Sequence, residues 1–107
     1  MRFEVVLSPG AAKGLAALRP DFRSGVRDAI ELHLRHEPTK VSKSRIKRLR
    51  GLDQPQYRLR VGEIRVFYDV APKVVEVLAV ISKQEAEAWL AKAATPTKEG
   101  SARKGEG

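Results

Sequence analysis

Tyr57 to Val70, YRLRVGEIRVFYDV, constrains the fold more than any other stretch of the chain, because its side chains alternate in character on both sides of Gly62-Glu63. Leu59, Val61, Ile64, Val66 and Tyr68 have the aliphatic, β-branched or aromatic character of half-buried strands, and Arg58, Arg60 and Arg65 interrupt them at a period of two. The pattern predicts two strands with the arginines on the face away from the core. Glycine tolerates the positive φ of a tight hairpin turn, so Gly62 is the natural pivot and sets the register. Val74 to Ile81, VVEVLAVI, is apolar enough to be the next strand, with Ala71-Pro72-Lys73 as the turn. A three-stranded antiparallel meander is expected.

The elements before and after the meander follow from caps and spacing. Arg2 to Leu7 reads as a short strand, and Ser8-Pro9 as a helix start, with Ser as N-cap and Pro at the first helical position. Pro9 to Leu18 carries Gly10 and Gly14, each costing about 1 kcal/mol relative to Ala, so this helix must lean on tertiary packing. After Arg19-Pro20, the residues Phe22, Val26, Ala29, Ile30 and His33 recur at helical spacing and predict a second helix ending before Pro38. Thr39 to Arg50 is a basic surface connection and Gly51 to Pro55 is turn-like. Lys83 to Ala93 reads as a last helix, with Ser82 and Glu85 as a capping box. The expectation is therefore an α+β domain over residues 1–93: an N-terminal strand, a two-helix hairpin, the three-stranded antiparallel meander and a short C-terminal helix. Residues 94–107, rich in Thr, Pro, Gly, Ser, Lys and Glu, predict a disordered polar tail.

Charge indicates the partner. The formal net charge is +8, and between Lys40 and Arg65 nine Lys/Arg face only Asp53 and Glu63, a local balance of +7. A polyanion fits such a patch; nucleic acid, an acidic protein or an anionic membrane surface all carry the required charge. With 107 residues and no cysteine, the chain has room for one core and no thiolate metal site or disulfide framework. No apolar run approaches the roughly 20 residues of a membrane span, and the N-terminus lacks a signal-peptide pattern, so a soluble cytoplasmic protein without membrane contact is expected. No metal-ligand spacing or phosphate-cradling glycine loop occurs, which predicts a function without metal or cofactor.

The segment KRLRGLDQPQYRLRVGEIRVFYDV, residues 47–70, together with the order of elements over residues 2 to about 92, resembles the RelE/ParE superfamily of bacterial toxins. The resemblance implies a toxin held inactive by a cognate antitoxin with an acidic or amphipathic segment. It further implies one of two activities: cleavage of messenger RNA on the ribosome, which inhibits translation, or, in the ParE branch, inhibition of DNA gyrase. A bare nucleic-acid or ribosome-binding module is the third reading. Carried over by position, Arg58 and Arg60 match the two basic positions of the strand after the connection, and Arg65 matches the arginine of the next strand. Lys83 matches a basic residue just after the last strand. The ribonuclease branch also has a tyrosine in the last helix; here no tyrosine follows Tyr68, and Trp89 or Leu90 stands near that position.

The residue types suit metal-free phosphodiester cleavage, in which the ribose 2′-oxygen attacks the adjacent phosphate and negative charge builds on its equatorial oxygens. Arg58, Arg60, Arg65 and Lys83 are the candidate catalytic residues, since one preorganised charge-stabilising donor is worth about 10²–10³ in rate. A general base should titrate near the working pH, which a lysine does only when crowded by cations or buried; Lys47 and Lys83 are the candidates. Lys43, Arg45, Lys47, Arg48 and Arg50 are candidate nucleic-acid contacts. Tyr57 and Tyr68 read as strand packing residues, with an exposed Tyr57 able to stack on a base. His33 falls on the apolar stripe and reads as a packed histidine, His36 sits where a positive charge suits the helix dipole, and Trp89 is expected to pack the last helix on the sheet.

Overall fold

The computed structural model describes residues 2–97. Its architecture is α+β, with three helices and a mixed five-stranded sheet in the order β1-β6-β5-β4-β2. The meander forms the centre of that sheet. β4 (Tyr57–Val61) and β5 (Ile64–Ala71) pair with Leu59 opposite Val66 and Val61 opposite Ile64, and β5 continues onto β6 (Val74–Ser82). Gly62 takes a positive φ of 58° at the first position of the two-residue turn, as glycine alone does cheaply. At the next turn Lys73 adopts a φ of 66°, with Pro72 before it.

The sheet is wider than the meander at both edges. β1 (Glu4–Leu7) lies parallel to β6, with Glu4 opposite Val74 and Leu7 opposite Val77. At the other edge the basic connection, expected to be loop, contributes β2 (Ile46–Arg48), paired antiparallel to β4. Three residues are too short for alternation to stand out in sequence, but Ile46 reaches the core and is 4% exposed. Ser42 closes the outer edge of β2: its amide donates to the Ile46 carbonyl (2.9 Å), and its Oγ accepts the Ile46 amide (3.2 Å). A capped edge resists adventitious strand pairing. The turn-like Gly51 to Pro55 segment likewise contains β3 (Leu52–Gln54), which pairs with β7 (Thr95–Pro96). Residues 94–97 of the expected tail are thus held against this segment; residues 98–107 lie outside the described residues.

Two helices cover one face of the sheet. In α1 (Pro9–Ala17) the Ser8 Oγ accepts the Ala11 amide (3.1 Å) and donates to the Leu78 carbonyl (3.1 Å), so the N-cap also ties the helix to β6. Leu78 is the extra residue of a bulge: Phe67 faces Ala79 and Tyr68 faces Val77, leaving Leu78 unpaired. The bulge keeps Val75, Val77 and Val80 on the core side despite the broken alternation of VVEVLAVI. Gly14 is needed for the close approach of α1, since a Cβ there would overlap the Val80 carbonyl oxygen. α2 (Pro20–Ala29) runs into a single π-turn, Ile30–Leu34, and buries Val26, Ile30 and Leu34. The expected stripe is corrected at its ends: Phe22 stays 41% exposed under the Arg19 guanidinium, and Leu34 replaces His33 in the core. The chain leaving α2 is anchored by the buried Tyr68 hydroxyl, which donates to the Pro38 carbonyl (2.6 Å).

α3 (Lys83–Ala93) lies on the opposite face. Its Trp89 stacks on Phe67, with ring centroids 5.0 Å apart and planes at 19°. The expected capping box is altered, because the Ser82 hydroxyl donates to the Glu85 carboxylate (3.0 Å) and accepts no helix amide.

Candidate nucleic-acid interface

Strand alternation and register place the arginines together on the face opposite α1 and α2. Lys47, Arg58, Phe67 and Ala79 form one cross-strand row, and Arg60, Arg65 and Ile81 form the next, nearer the Gly62 turn. Trp89 covers Phe67, so α3 occupies the β5–β6 half of this face and the cations occupy the β2–β4 half, with Arg65 at the boundary.

Arg58 sits at the centre of the cluster, half-buried, and its Nε has no hydrogen-bond partner among the described residues. Burial first, then Arg65 and Arg60, hold its pKa below the ordinary arginine value. An anion against this face would offset the like-charge repulsion and offer an acceptor to the unpartnered Nε. Arg65 donates from one terminal nitrogen to the carbonyls of Gly62 (2.8 Å) and Ile64 (3.1 Å), which fixes its guanidinium against the turn. Arg60 is exposed, and among the described residues no carboxylate pairs with Arg58, Arg60 or Arg65. The fourth catalytic candidate, Lys83, is brought to the same end of the sheet: its amide donates to the Glu63 carbonyl (2.8 Å), and its ammonium lies 3.8 Å from the Glu63 carboxylate.

Of the expected nucleic-acid contacts, Lys47 joins the cluster directly opposite Arg58, and Arg45 adjoins it, since the Arg60 amide donates to the Arg45 carbonyl (2.8 Å). Lys43 and Arg50 are exposed on either side of β2. Arg48 and Tyr57 lie elsewhere. They face each other across β2 and β4 on the helix side of the sheet, with the Arg48 guanidinium 5.2 Å from the Tyr57 ring centre. Arg48 also donates to the Gln56 carbonyl (2.8 Å), and the Tyr57 ring stacks on Tyr68 at 5.5 Å. Both faces of the phenol ring are therefore engaged, which corrects the reading of Tyr57 as a base-stacking platform and removes Arg48 from the arginine face. Among the described residues no cluster of three His, Cys, Asp or Glu is arranged to hold a metal, and no helix is long and apolar enough to cross a membrane.

This geometry has counterparts among solved structures. RelE in the archaeal RelE–RelB complex of Pyrococcus horikoshii superposes with a TM-score of 0.64 at 26% identity, over 78% of this chain and 97% of that one. The chain is RelE-like. RelBE2 of Mycobacterium tuberculosis, a toxin–antitoxin complex, matches at a TM-score of 0.58 and 24% identity over 77% and 99% of the two chains. The YoeB dimer of Staphylococcus aureus matches at 0.58 and 14% identity over 76% and 97%. Sequence comparison finds no matching family model and no matching curated relative, so the RelE likeness rests on structure. Within this RelE-like chain, sequence reasoning missed Phe67. The adjacent aromatics Phe67 and Tyr68 point to opposite faces, and that pair was the available signal that a helix covers the second face as well.

Proposed function

We propose that the chain is the toxin of a toxin–antitoxin pair and that it acts as an endoribonuclease on ribosome-bound messenger RNA, inhibiting translation. The observation that carries this reading is the trio Arg58, Arg60 and Arg65, converging on one sheet face without a carboxylate partner among the described residues. In the proposed reaction the ribose 2′-oxygen forms a bond to the adjacent phosphorus, the bond from phosphorus to the 5′-oxygen breaks, and the 2′ proton passes to a base while the leaving oxygen is protonated. The role of Arg58 and Arg65 is to meet the charge that builds on the equatorial oxygens; both are held by the sheet, so little reorganisation accompanies the reaction. Arg60 and Lys47 hold the flanking backbone. Lys83 offers a further cation for the phosphate, and its exposed pair with Glu63 is weak enough to be exchanged for substrate; exposed and beside a carboxylate, it lacks the burial or cation crowding that the expected proton carrier needs.

The antitoxin partner is supported by the RelB-bound state of the RelE neighbours. The unpaired cations of this face favour an acidic segment as the neutralising element. One observation favours a second reading, a ParE-like inhibitor of DNA gyrase: the last helix offers Trp89, packed on Phe67, near where the ribonuclease branch has a tyrosine, so no phenol is available there for proton transfer.

A cell-free translation reaction with a defined message separates the two. Purified chain should produce new messenger 5′ ends only when ribosomes are translating. An intact message, with supercoiling by gyrase blocked in a parallel reaction, would favour the second reading.

A further inference from the structure

A cleft of about 210 Å³ opens at the β2 edge of the sheet, lined by His33 from the π-turn, Glu37, Lys40 and Ser42 from the connection, and Arg45 and Ile46. Apart from the Glu37 carboxylate, which Lys40 pairs at 3.8 Å, the polar groups of this lining can donate to an anion. The Arg45 guanidinium and the His33 imidazole have no hydrogen-bond partner or ion pair among the described residues, although His33 is half-buried. Ser42 Oγ accepts two amides, from Arg45 (3.0 Å) and Ile46 (3.2 Å), which occupies its lone pairs and leaves its hydroxyl proton free to donate. Lys40 is 3.8 Å from the Glu37 carboxylate in an exposed pair of small worth, so its ammonium can turn to a stronger acceptor. Burial first and Arg45 second keep the His33 pKa below its ordinary value; an anion seated against the Arg45 guanidinium offsets the second effect and favours the protonated imidazole. The π-turn that carries His33 is a local departure from α-helix of a kind that recurs at functional sites.

Position relates this cleft to the arginine face. Arg65 faces Arg60 across β4–β5, and the Arg60 amide is bonded to the Arg45 carbonyl, so Arg65, Arg60 and Arg45 step across adjacent strands from the catalytic candidates to the cleft. We propose that the His33–Arg45 cleft is a second phosphate subsite, taking a backbone phosphate of the RNA strand beyond those held by Arg58, Arg60 and Arg65. The subsite rests on the RNA-cleaving reading and extends it, giving the bound strand a direction: across the hairpin and over the β2 edge.

The test is a histidine titration by NMR over about pH 5 to 8, with and without a single-stranded RNA carrying 2′-O-methyl groups, whose blocked 2′-oxygen cannot attack. The groups facing His33 are Glu37, Lys40 and Arg45. The RNA should raise the midpoint of the His33 titration by about one pH unit, a tenfold gain in proton affinity. In Arg45→Ala the free protein should titrate higher at His33, because a cation is gone, and RNA should then add no further rise. Arg45→Lys should restore part of the response. Arg45 is exposed, and an otherwise unchanged spectrum certifies the fold of each variant. A silent His33 alongside responding Arg58 and Arg65 side chains overturns the subsite and leaves the ribonuclease reading standing. No response at either place overturns the subsite together with the arginine face as an RNA contact, and the cell-free cleavage assay then decides the ribonuclease reading separately.

Discussion

Arg60 and Arg65 stand directly opposite each other across the β4–β5 hairpin, one residue pair inside the Gly62-Glu63 turn. Like charges in that relation are destabilising by a few tenths of a kcal/mol or more, so a fold selected for stability alone would place a carboxylate at one of the two positions. With Arg58 on the same face and its Nε unpartnered among the described residues, the arrangement is one that the proposed anion site would explain as stability given up for binding.

Function and stability should therefore separate in variants of this face. Arg58→Ala/Arg65→Ala should abolish growth inhibition in an inducible expression assay. Because loss of the Arg65 contacts to the turn carbonyls offsets relief of the repulsion, stability should move by no more than about 1 kcal/mol in a urea melt. Retained toxicity in a folded double variant would remove the trio from the site.

Salt dependence counts the phosphates engaged. Affinity for single-stranded RNA should fall linearly on a log–log plot against salt, and Arg60→Ala should reduce the slope by roughly 0.7, the single-strand value for one phosphate contact. An Arg60→Ala slope equal to the parent's would mean that this exposed guanidinium meets no phosphate.

Tyr68 gives a stability switch at high pH. Its hydroxyl is buried and bonded to the Pro38 carbonyl, and burial followed by the neighbouring Tyr57 raises its pKa above the ordinary tyrosine range. The folded state therefore holds the proton more tightly than the unfolded chain. Its stabilising effect is complete below about pH 10, where unfolded tyrosine titrates, and is lost as pH rises from there through the folded pKa. Tyr68→Phe should cost about 1–3 kcal/mol at neutral pH by leaving the Pro38 carbonyl unsatisfied, and should flatten the alkaline fall in chemical-denaturation midpoints.

Two glycines of the helix pair should respond in opposite senses to the same substitution. Gly14→Ala forces α1 away from the Val80 carbonyl and should cost about 1–3 kcal/mol. Gly25→Ala, in the middle of α2 with nothing within 4 Å of the added methyl, should stabilise by up to about 1 kcal/mol. Thermal melts of the two variants, run side by side, check the packing of α1 on β6.

What was legible in the sequence was the part written in regular alternation or by a cap. The hairpin shows its register because apolar and charged residues alternate from Tyr57 to Val66 around Gly62, and Ser8-Pro9 marks α1 because both residues suit a helix start. β2 and β3 were hidden because three residues cannot establish a period, and Ile46 looks like an isolated apolar residue within a basic run. His33 read as core because a 3.6-residue period carries the stripe through it; the π-turn shifts the buried position to Leu34 and turns His33 toward Arg45. The three arginines were visible as a set from periodicity alone. That Arg48 and Tyr57 face away from them depended on how β2 pairs, which no local pattern records.

The measurement that tests the central claim most directly is inducible expression of the chain in a bacterial host, with messenger 5′ ends mapped and chromosomal breaks scored in the same culture. The account predicts new 5′ ends within translated codons, absent when translation is arrested and absent in Arg58→Ala/Arg65→Ala, with the chromosome intact. Chromosomal breaks with intact messengers would contradict it and recast the arginine face as a docking surface for gyrase.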